Sequence, residues 1–297
     1  MDQADRLRAI ASNDGAKSEP RIISITSGKG GVGKTNIAAN LACIFSKRGM
    51  KVLLIDADLG LANANLILGC RVTKSIDDVL FSNSSFADVF VKSNYGFDLL
   101  PSSSGMRKIL ELDQFAQRAM MDRLAGAMVD YDVVLYDTAP GIGTHVLNFN
   151  ASAHEIVVIA HPEPTALADA YALIKVMAIE RKEKRFKFLV NRAQTQQEGL
   201  VAFAKLTDVS NEFLNISIDY LGALPEDPSV LAAVRSQKPV TKSAPRAVFS
   251  MALERVADKL LACSMDILGK NKGQGRAGLI PATGGVGHEF RSAHQEI

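Results

Sequence analysis

Short apolar runs recur along the chain, and within each run the residues are apolar continuously rather than at every second position. Strands covered on both faces of a parallel sheet have this pattern, whereas half-exposed strands alternate apolar and polar residues. We therefore predict a set of buried, mostly parallel strands. They comprise residues 21–26, 51–55, 97–100, 133–136, 155–160, 187–190 and 220–223.

Several segments between these runs have apolar residues three and four positions apart, which places those residues on one side of a helix. Such helices are predicted at 34–47, 108–128, 165–179 and 246–268. Strands that alternate with helices are typical of parallel sheets with helical crossovers. The pattern predicts an α/β fold: a doubly wound, mostly parallel sheet with helices on both faces.

The two ends of the sequence depart from this alternation. Residues 1–19 contain a short polar helix candidate and a linker with Asn13, Asp14 and Gly15. Residues 269–297 contain seven glycines and one aromatic residue, a composition typical of a disordered tail. We predict one folded domain at 20–268, preceded by a helix with its linker and followed by the tail.

Composition narrows the classes of function. The chain has 297 residues, of which 47% are hydrophobic, so it can bury one large core. Its 34 Lys and Arg against 32 Asp and Glu give a net charge of +2, which does not favour nucleic-acid binding.

The cysteines and the apolar runs bear on where the protein is located. The spacing of Cys43, Cys70 and Cys263 fits neither a zinc site nor a disulfide framework, so we expect the protein in the reducing cytoplasm. Because the sequence has no apolar run of 18 residues, we expect that the protein is neither exported nor membrane-spanning.

A glycine-rich loop follows the first predicted strand and opens the first predicted helix. Its sequence, GKGGVGKT at 28–35, fits the phosphate-binding pattern G-x-x-x-x-G-K-[ST] in the strand-loop-helix context that the pattern requires. Its glycines let backbone N–H groups surround phosphate oxygens at the positive end of a helix. We expect Lys34 to neutralise the β and γ phosphates of ATP, and the Thr35 hydroxyl to bind Mg²⁺. The residues predicted to contact the nucleotide are Gly28, Lys29, Gly30, Gly31, Val32, Gly33, Lys34, Thr35 and Asn36.

Two further predicted strands end in carboxylates. The second strand is followed by Asp56 and Asp58, and the strand at 133–136 is followed by Asp137 and a glycine-bearing loop. The carboxyl ends of parallel strands share the edge at which open α/β sheets bind ligands. We therefore expect these three carboxylates beside the bound Mg²⁺ and ATP, where they can serve the metal and the attacking water.

The second lysine of the loop, Lys29, makes it resemble the deviant KGGxGKT loop of the MinD/ParA ATPases, and the resemblance covers residues 20–265. It implies that Lys29 reaches across a homodimer interface to the partner's nucleotide. Lys29, Lys34 and Asp58 then form the catalytic set, with Asp58 orienting the attacking water. Asp56 supports the metal side, and Asp137 holds Mg²⁺ through water.

Recognition of the base is predicted from two weaker features. Asn191, which follows the strand at 187–190, has an amide that can both donate and accept, as the adenine edge requires, and the family has a comparable Asn there. The run LPED at 224–227 resembles the family's adenine-flanking loop, with Pro225 beside the base. A simple turn explains the same four residues equally well.

Three segments resemble the FlhG/FleN flagellar branch of this family: DQADRLR at 2–8, DADLGLANANLILG at 56–69, and PEPT at 162–165 followed by DAYALIK at 169–175. The first resembles the element with which this branch stimulates a signal-recognition-type GTPase that places the flagellum, and a frayed terminal helix is the alternative. By this resemblance Gln3 helps to position water in the GTPase site. The partner-binding residues would be Asp2, Gln3, Leu7 and Arg8.

The resemblance implies a regulatory switch in which ATP drives homodimerisation, the dimer recruits partners, and slow hydrolysis resets it. The implied partners are the placement GTPase, the flagellar master transcription activator and switch-complex proteins. A cell-division or DNA-partitioning ATPase of the same fold is the alternative, against which the near-neutral charge and the segment 2–8 argue. An electron-transfer iron protein would need cysteines in the loop 137–143, which has none.

Two predicted helices can be interpreted in more than one way. The helix at 165–179 has an apolar and an exposed face, which suits either core packing or a dimer contact. Members of the family bind the inner face of the cell membrane through a C-terminal amphipathic helix, here 246–268. Its polar face mixes acidic and basic residues, whereas membrane-surface helices are rich in Lys and Arg, so we favour core packing. Its apolar stripe comprises Phe249, Leu253, Val256, Leu260 and Ile267.

Overall fold

The computed structural model describes residues 19–58, 64–74, 76–82, 84–102, 108 and 113–262. The strands are β1 (Arg21–Thr26), β2 (Val52–Ala57), β3 (Val91–Lys92), β4 (Asp98–Leu100), β5 (Val133–Thr138), β6 (Glu155–Ala160), β7 (Arg185–Ala193) and β8 (Ser217–Pro225). The helices are α1 (Lys34–Lys47), α2 (Ala64–Ile67), α3 (Ile76–Phe81), α4 (Phe86–Val89), α5 (Gln114–Met128), α6 (Thr144–Ser152), α7 (Pro164–Glu180), α8 (Gln196–Phe213), α9 (Pro228–Arg235), α10 (Val240–Ser243) and α11 (Val248–Ala262).

The eight strands form one sheet in the order β3-β4-β2-β5-β1-β6-β7-β8. All neighbours are parallel except β3 and β4, which are antiparallel. The predicted α/β fold with a mostly parallel sheet is confirmed. The sequence did not predict β3, because two residues are too few to establish a hydrophobic period. The crossovers run to one side of β1 up to β5 and to the other side from β6 onward, so β1 lies at a switch point of the sheet.

Helices cover both faces of the sheet, as predicted. One core contains α1 and α11, which pack on β1, β2 and β8. On the opposite face, α5 and the ring of Phe149 on α6 cover β2 and β5, while α7 and α8 cover β6 and β7. The strands β2, β5 and β6 are buried at every residue, which explains why their sequences are continuously apolar.

Helix boundaries depart from the prediction at two places. The predicted helix 108–128 is interrupted at Asp113, whose extended backbone and side-chain bond to the Ala116 N–H begin α5. The described part of the C-terminal helix runs from Val248 to Ala262, so the predicted residues 263–268, including Ile267, lie outside the described residues. The N-terminal segment 1–18 and the tail 269–297 also lie outside them.

The apolar face of α11 is part of the protein core. Phe249, Leu253, Val256 and Leu260 are all buried, and they belong to the cluster that α1 forms with the sheet. On the polar face, Glu254 accepts a hydrogen bond from Arg48 at 2.7 Å. The described helix therefore packs as a core element. Within the described ranges, no helix is both long and apolar enough to cross a bilayer.

Charged groups cluster at the amino ends of the central strands, opposite the phosphate-binding loop. Glu155, at the start of β6, accepts a hydrogen bond from the Arg21 guanidinium at 2.5 Å, and its other oxygen lies 3.7 Å from the Lys187 ammonium. Lys187 is also 3.4 Å from Asp219. Arg21 donates to the Leu260 carbonyl of α11 as well, which ties the last described helix to the sheet.

The edge strand β8 is covered by side chains. Lys259 of α11 donates to the Tyr220 carbonyl at 3.4 Å, and Gln196 of α8 donates to the Ala223 carbonyl at 3.1 Å. The Lys259 ammonium also lies 5.7 Å from the centre of the Tyr220 ring. Two carbonyls of this strand are therefore already engaged within the chain.

Candidate functional site

The glycine-rich loop joins β1 to the first turn of α1, so it lies at the carboxyl edge of the sheet. Gly33 has a left-handed backbone with φ of 95° and caps the 14-residue helix, a conformation that glycine adopts without strain. The helix begins here without a side-chain cap. Its first N–H groups and the positive end of its dipole are suited to bind phosphate.

Lys34 is held within the loop. Its ammonium donates to the Ser27 hydroxyl at 2.9 Å, and Ser27 in turn donates to the Lys29 carbonyl at 2.7 Å. Burial lowers the pKa of Lys34, while Asp137 and Asp58 act to raise it. Such an ammonium, poorly hydrated and facing carboxylates, is poised to neutralise an incoming phosphate.

Asp137 lies in register with Asp56 across β5 and β2. It is 1% exposed, and its Oδ1 has no hydrogen-bond partner among the described residues. Burial raises its pKa to about 7, and Asp56 adds to this, whereas a hydrogen bond with Thr35 and the charge of Lys34 oppose it. The buried carboxylate lacks a full set of partners, which a hydrated cation could supply.

The other two acids are held in different ways. Asp56 accepts from the Asp58 N–H and the Ala64 N–H, both at 3.2 Å, so it orders the start of α2. Asp58 is half-buried, and its carbonyl accepts from the Ser102 hydroxyl at 2.5 Å. The rest of the segment between Asp58 and Ala64, residues 59–63, lies outside the described residues.

These groups fit Mg²⁺ in one particular way. In the described ranges, no three carboxylate, imidazole or thiolate groups are placed to hold a metal by themselves. A site made from the Thr35 hydroxyl, phosphate oxygens and water, with Asp137 behind the water, needs no such cluster. The unpartnered Oδ1 of Asp137 suits that arrangement. The roles of Thr35, Asp56 and Asp137 at the metal remain predictions.

Lys29 lies against its own chain. Its ammonium is 3.3 Å from the Thr165 hydroxyl and 3.8 Å from a Glu163 oxygen, at the start of α7. The side chain is 44% exposed, so the contact is weak and solvent-screened. The reach of Lys29 across a dimer interface remains a prediction, and the exposed ammonium is free to change partners.

The remaining loop glycines differ in what surrounds them. A Cβ on Gly28 would lie 2.0 Å from the Asp169 carbonyl oxygen, so this glycine lets α7 pack against the loop. Gly31 has φ of 77° and open space around it, and Gly30 has only Pro140 nearby, at 3.8 Å. Gly30 and Gly31 therefore leave the concave surface open. Asn36 lies one turn from Asn40, which donates to its side-chain oxygen at 3.0 Å.

Asn191 and Pro225 end neighbouring strands. Asn191 is buried in β7 and donates to the Val32 carbonyl of the loop at 2.8 Å, and Pro225 is the last residue of β8. Asp227 accepts from the Ser229 N–H and caps α9, so part of the run 224–227 opens a helix. Adenine recognition by Asn191 and Pro225 remains a prediction.

Ser27 and Ser102 were not predicted as site residues. Ser27 directly precedes the loop motif, so its position was the available signal. Ser102 is 44 residues from Asp58 along the chain, and no motif connects the two. The predicted partner-binding residues Asp2, Gln3, Leu7 and Arg8 lie outside the described residues.

Comparisons with known proteins agree with this architecture. Residues 20–189 match the family described as an AAA domain. The chain is 37% identical to the antiactivator FleN of Pseudomonas aeruginosa, over 83% of this chain and 88% of that protein. It is 34% identical to the flagellum site-determining protein YlxH of Helicobacter pylori, over 83% of each.

A solved structure gives the same result for the fold. The septum site-determining protein MinD from Pyrococcus horikoshii, in complex with Mg-ADP, superposes with a TM-score of 0.67 at 26% identity, over 86% of this chain and 99% of that chain. The strand order, the loop at 28–35 and the strand-end acids are thus accompanied by similarity along most of the sequence. The chain belongs to the MinD/ParA family of P-loop ATPases, in the FlhG branch that includes FleN and YlxH.

Proposed function

We propose that this protein is a Mg²⁺-dependent, slow regulatory ATPase that dimerises with ATP and controls the number or placement of flagella. The observation that carries the proposal is the group formed by the phosphate-binding loop and three strand-end carboxylates, in a chain similar to FleN and YlxH. A solved relative holds Mg-ADP, which supports the same ligands here. The name of YlxH, a flagellum site-determining protein, favours this function over cell division or DNA partitioning.

The residues divide the work as follows. The loop N–H groups and Lys34 bind the phosphates, and the Thr35 hydroxyl and, through water, Asp137 would hold Mg²⁺, which would neutralise charge on the transferred phosphoryl group. Asp58 orients the attacking water for transfer of the γ-phosphoryl group. Since this chemistry depends on positioning, the Ser102 contact that fixes the Asp58 backbone contributes to the rate.

We assign the proposed dimer contact to Lys29, whose side chain is exposed. Once ATP is bound, Lys29 exchanges its weak contacts with Glu163 and Thr165 for the phosphates of the partner's nucleotide. Hydrolysis removes the γ phosphate and with it the differential affinity that holds the two chains together. In this proposal the rate of ATP hydrolysis sets the lifetime of the dimer.

The decisive experiment measures the mass of the particle by light scattering with ATP and with ADP. Wild type should be dimeric with ATP alone, Asp58→Ala should stay dimeric without turnover, and Lys29→Ala should stay monomeric. Lys47→Ala, which changes an exposed lysine at the far end of α1, is the matched control and should behave like wild type. A monomer under every condition, or normal turnover by Asp58→Ala, would contradict the proposal.

The proposed partners are a signal-recognition-type flagellar GTPase, bound through residues 2–8, the flagellar master transcription activator and switch-complex proteins. We propose that residues 1–19 act as a separate activating segment and that 20–268 form the ATPase domain. Deleting residues 1–12 should abolish stimulation of the GTPase while leaving ATP-dependent dimerisation intact. Gln3→Ala should lower the stimulated GTPase rate without weakening binding, and unchanged stimulation after the deletion would refute the segment's role.

Location and DNA binding give two further tests. We propose a cytoplasmic protein for which specific nucleic acid is not a ligand. Sedimentation with anionic liposomes and ATP should leave it in the supernatant, because the described apolar face of α11 is buried. Filter binding with non-specific DNA should give no ATP-dependent retention, whereas retention would favour the DNA-partitioning alternative.

A further inference from the structure

One peptide group of the phosphate-binding loop is held from outside the loop. The Asn191 amide of β7 donates to the Val32 carbonyl at 2.8 Å, although the two residues are 159 positions apart in sequence. Asn191 is 6% exposed. A Cβ on Gly33 would lie 2.6 Å from its amide nitrogen. The side chain therefore packs directly on the 32–33 peptide, and glycine at 33 makes room for it.

His161, directly after the last residue of β6, lies beside the same peptide. Burial lowers the pKa of His161, Arg192 and Lys29 lower it further, and Glu163 and the Val32 backbone oppose them. Its Nε2 is buried without a hydrogen-bond partner among the described residues. Asn191 is therefore the side chain whose hydrogen bond holds the Val32 carbonyl.

The backbone of β7 is distorted where Asn191 leaves the strand. The pairing of β7 with β8 shifts register between Asn191 and Ala193. Arg192 between them has φ of 56°, in the left-handed region that side chains other than glycine rarely adopt. Strained residues are retained where they orient a neighbouring group. Here the bulge follows the residue that contacts the loop.

We propose that Asn191 is a positioning residue that fixes the Val32 carbonyl and thereby aims the Gly33 N–H at the nucleotide phosphates. A peptide group is planar and trans, so its C=O and N–H point in opposite directions. Holding the carbonyl toward β7 turns the N–H away from that strand. Asn191 would then act on every ligand with a polyphosphate group, whatever base it carries. This inference rests on the proposed binding of nucleotide by the loop.

The test compares ligands that share phosphates and differ in the base. ATP, GTP and inorganic tripolyphosphate, each with Mg²⁺, displace a fluorescent ATP analogue from wild type, Asn191→Leu and Asn191→Ala. Both substitutions remove the donor without adding charge, and leucine also keeps the approximate size of the side chain. Gln194→Leu, at an exposed position just beyond β7, is the matched control. Thermal unfolding without ligand shows that each variant is folded.

Loss of one hydrogen bond to the loop should weaken binding about threefold to tenfold, by the same factor for all three ligands. Weaker binding of ATP alone by Asn191→Leu, with GTP and tripolyphosphate unchanged, would mean that Asn191 only reads the base and would overturn the proposal. If Asn191→Leu does not fold, Asn191→Ala decides, and wild-type affinity of that variant for all three ligands would refute the positioning role. A wild-type chain that binds none of them contradicts the proposed function itself.

Discussion

Asp56 and Asp137 are register partners on the neighbouring parallel strands β2 and β5, so two carboxylates meet at one edge of the sheet. Asp56 is held by backbone N–H groups, whereas one oxygen of Asp137 has no hydrogen-bond partner among the described residues. The fold thus keeps a buried acid in an environment that disfavours its charge. The ionised Asp137 side chain therefore lowers the free energy of unfolding, and a bound cation can offset this cost by neutralising the carboxylate.

The pH dependence of stability should reveal this acid. Because the folded-state pKa of Asp137 is raised to about 7, its protonated form stabilises the fold at low pH, and that contribution is lost as pH rises through about 7. Asp137→Asn should remove the loss and make the nucleotide-free protein more stable than wild type at pH 8, by roughly 2–4 kcal/mol. Urea unfolding at pH 5 and pH 8 measures it. The exposed Asp122→Asn should follow wild type, and a parallel pH dependence in Asp137→Asn would disprove the account.

Two glycines of the loop should respond differently to the same added methyl group. Gly28→Ala places a Cβ against the backbone of Asp169, which cannot move without α7, so we expect a loss of unfolding free energy above about 2 kcal/mol. Gly30→Ala meets only ordinary contact with Pro140 and should change stability by less than about 1 kcal/mol. Denaturant unfolding without nucleotide compares them. Equal stability of the two variants would show that Gly28 does not set the packing of α7.

Helix α11 should contribute to global stability through one face. Leu253 is fully buried and Met251 is 44% exposed on the same helix. Leu253→Ala should cost about 2–5 kcal/mol because it leaves a cavity between α11 and α1, whereas Met251→Ala should cost less than about 1 kcal/mol. Thermal and urea unfolding provide the comparison. A small effect of Leu253→Ala would instead mean that the helix detaches readily, as a membrane-binding helix must.

Glu155 should be important for stability because two cations surround it. Glu155→Gln leaves Arg21 and Lys187 close together with little solvent, and we expect a loss of about 2–4 kcal/mol. The matched control is Asp219→Asn, which removes the exposed partner of Lys187 and should cost less than about 1 kcal/mol. If high salt abolishes the difference between the two variants, the cluster is screened by solvent and the prediction is wrong.

The sequence predicts the sheet and the phosphate-binding loop because both depend on local patterns. Continuous apolar runs identify the long strands, and the spacing of glycine, lysine and threonine identifies the loop. Strand ends were predicted too short: β2 and β5 continue through Asp56 and Asp137. Acidic residues normally signal the end of a strand, but here they remain in the strand because they face the ligand edge.

Contacts between distant segments were beyond the reach of sequence patterns. The bond from Asn191 to Val32 lies next to a bulge at Arg192, and nothing in the sequence around 192 indicates a left-handed residue. Likewise, Ser102 lies close enough to donate to the Asp58 carbonyl because β4, which precedes Ser102, pairs with β2, which precedes Asp58. Such contacts follow from strand order, which the alternation of strands and helices does not determine by itself.

The covered edge of β8 limits how copies of the chain can associate. An open strand edge invites a second molecule to extend the sheet, and proteins avoid this by occupying the edge. Lys259 and Gln196 already take two carbonyls of this strand. Self-association across this edge would have to displace both side chains. These contacts therefore disfavour fibrous aggregates that would extend the sheet along β8.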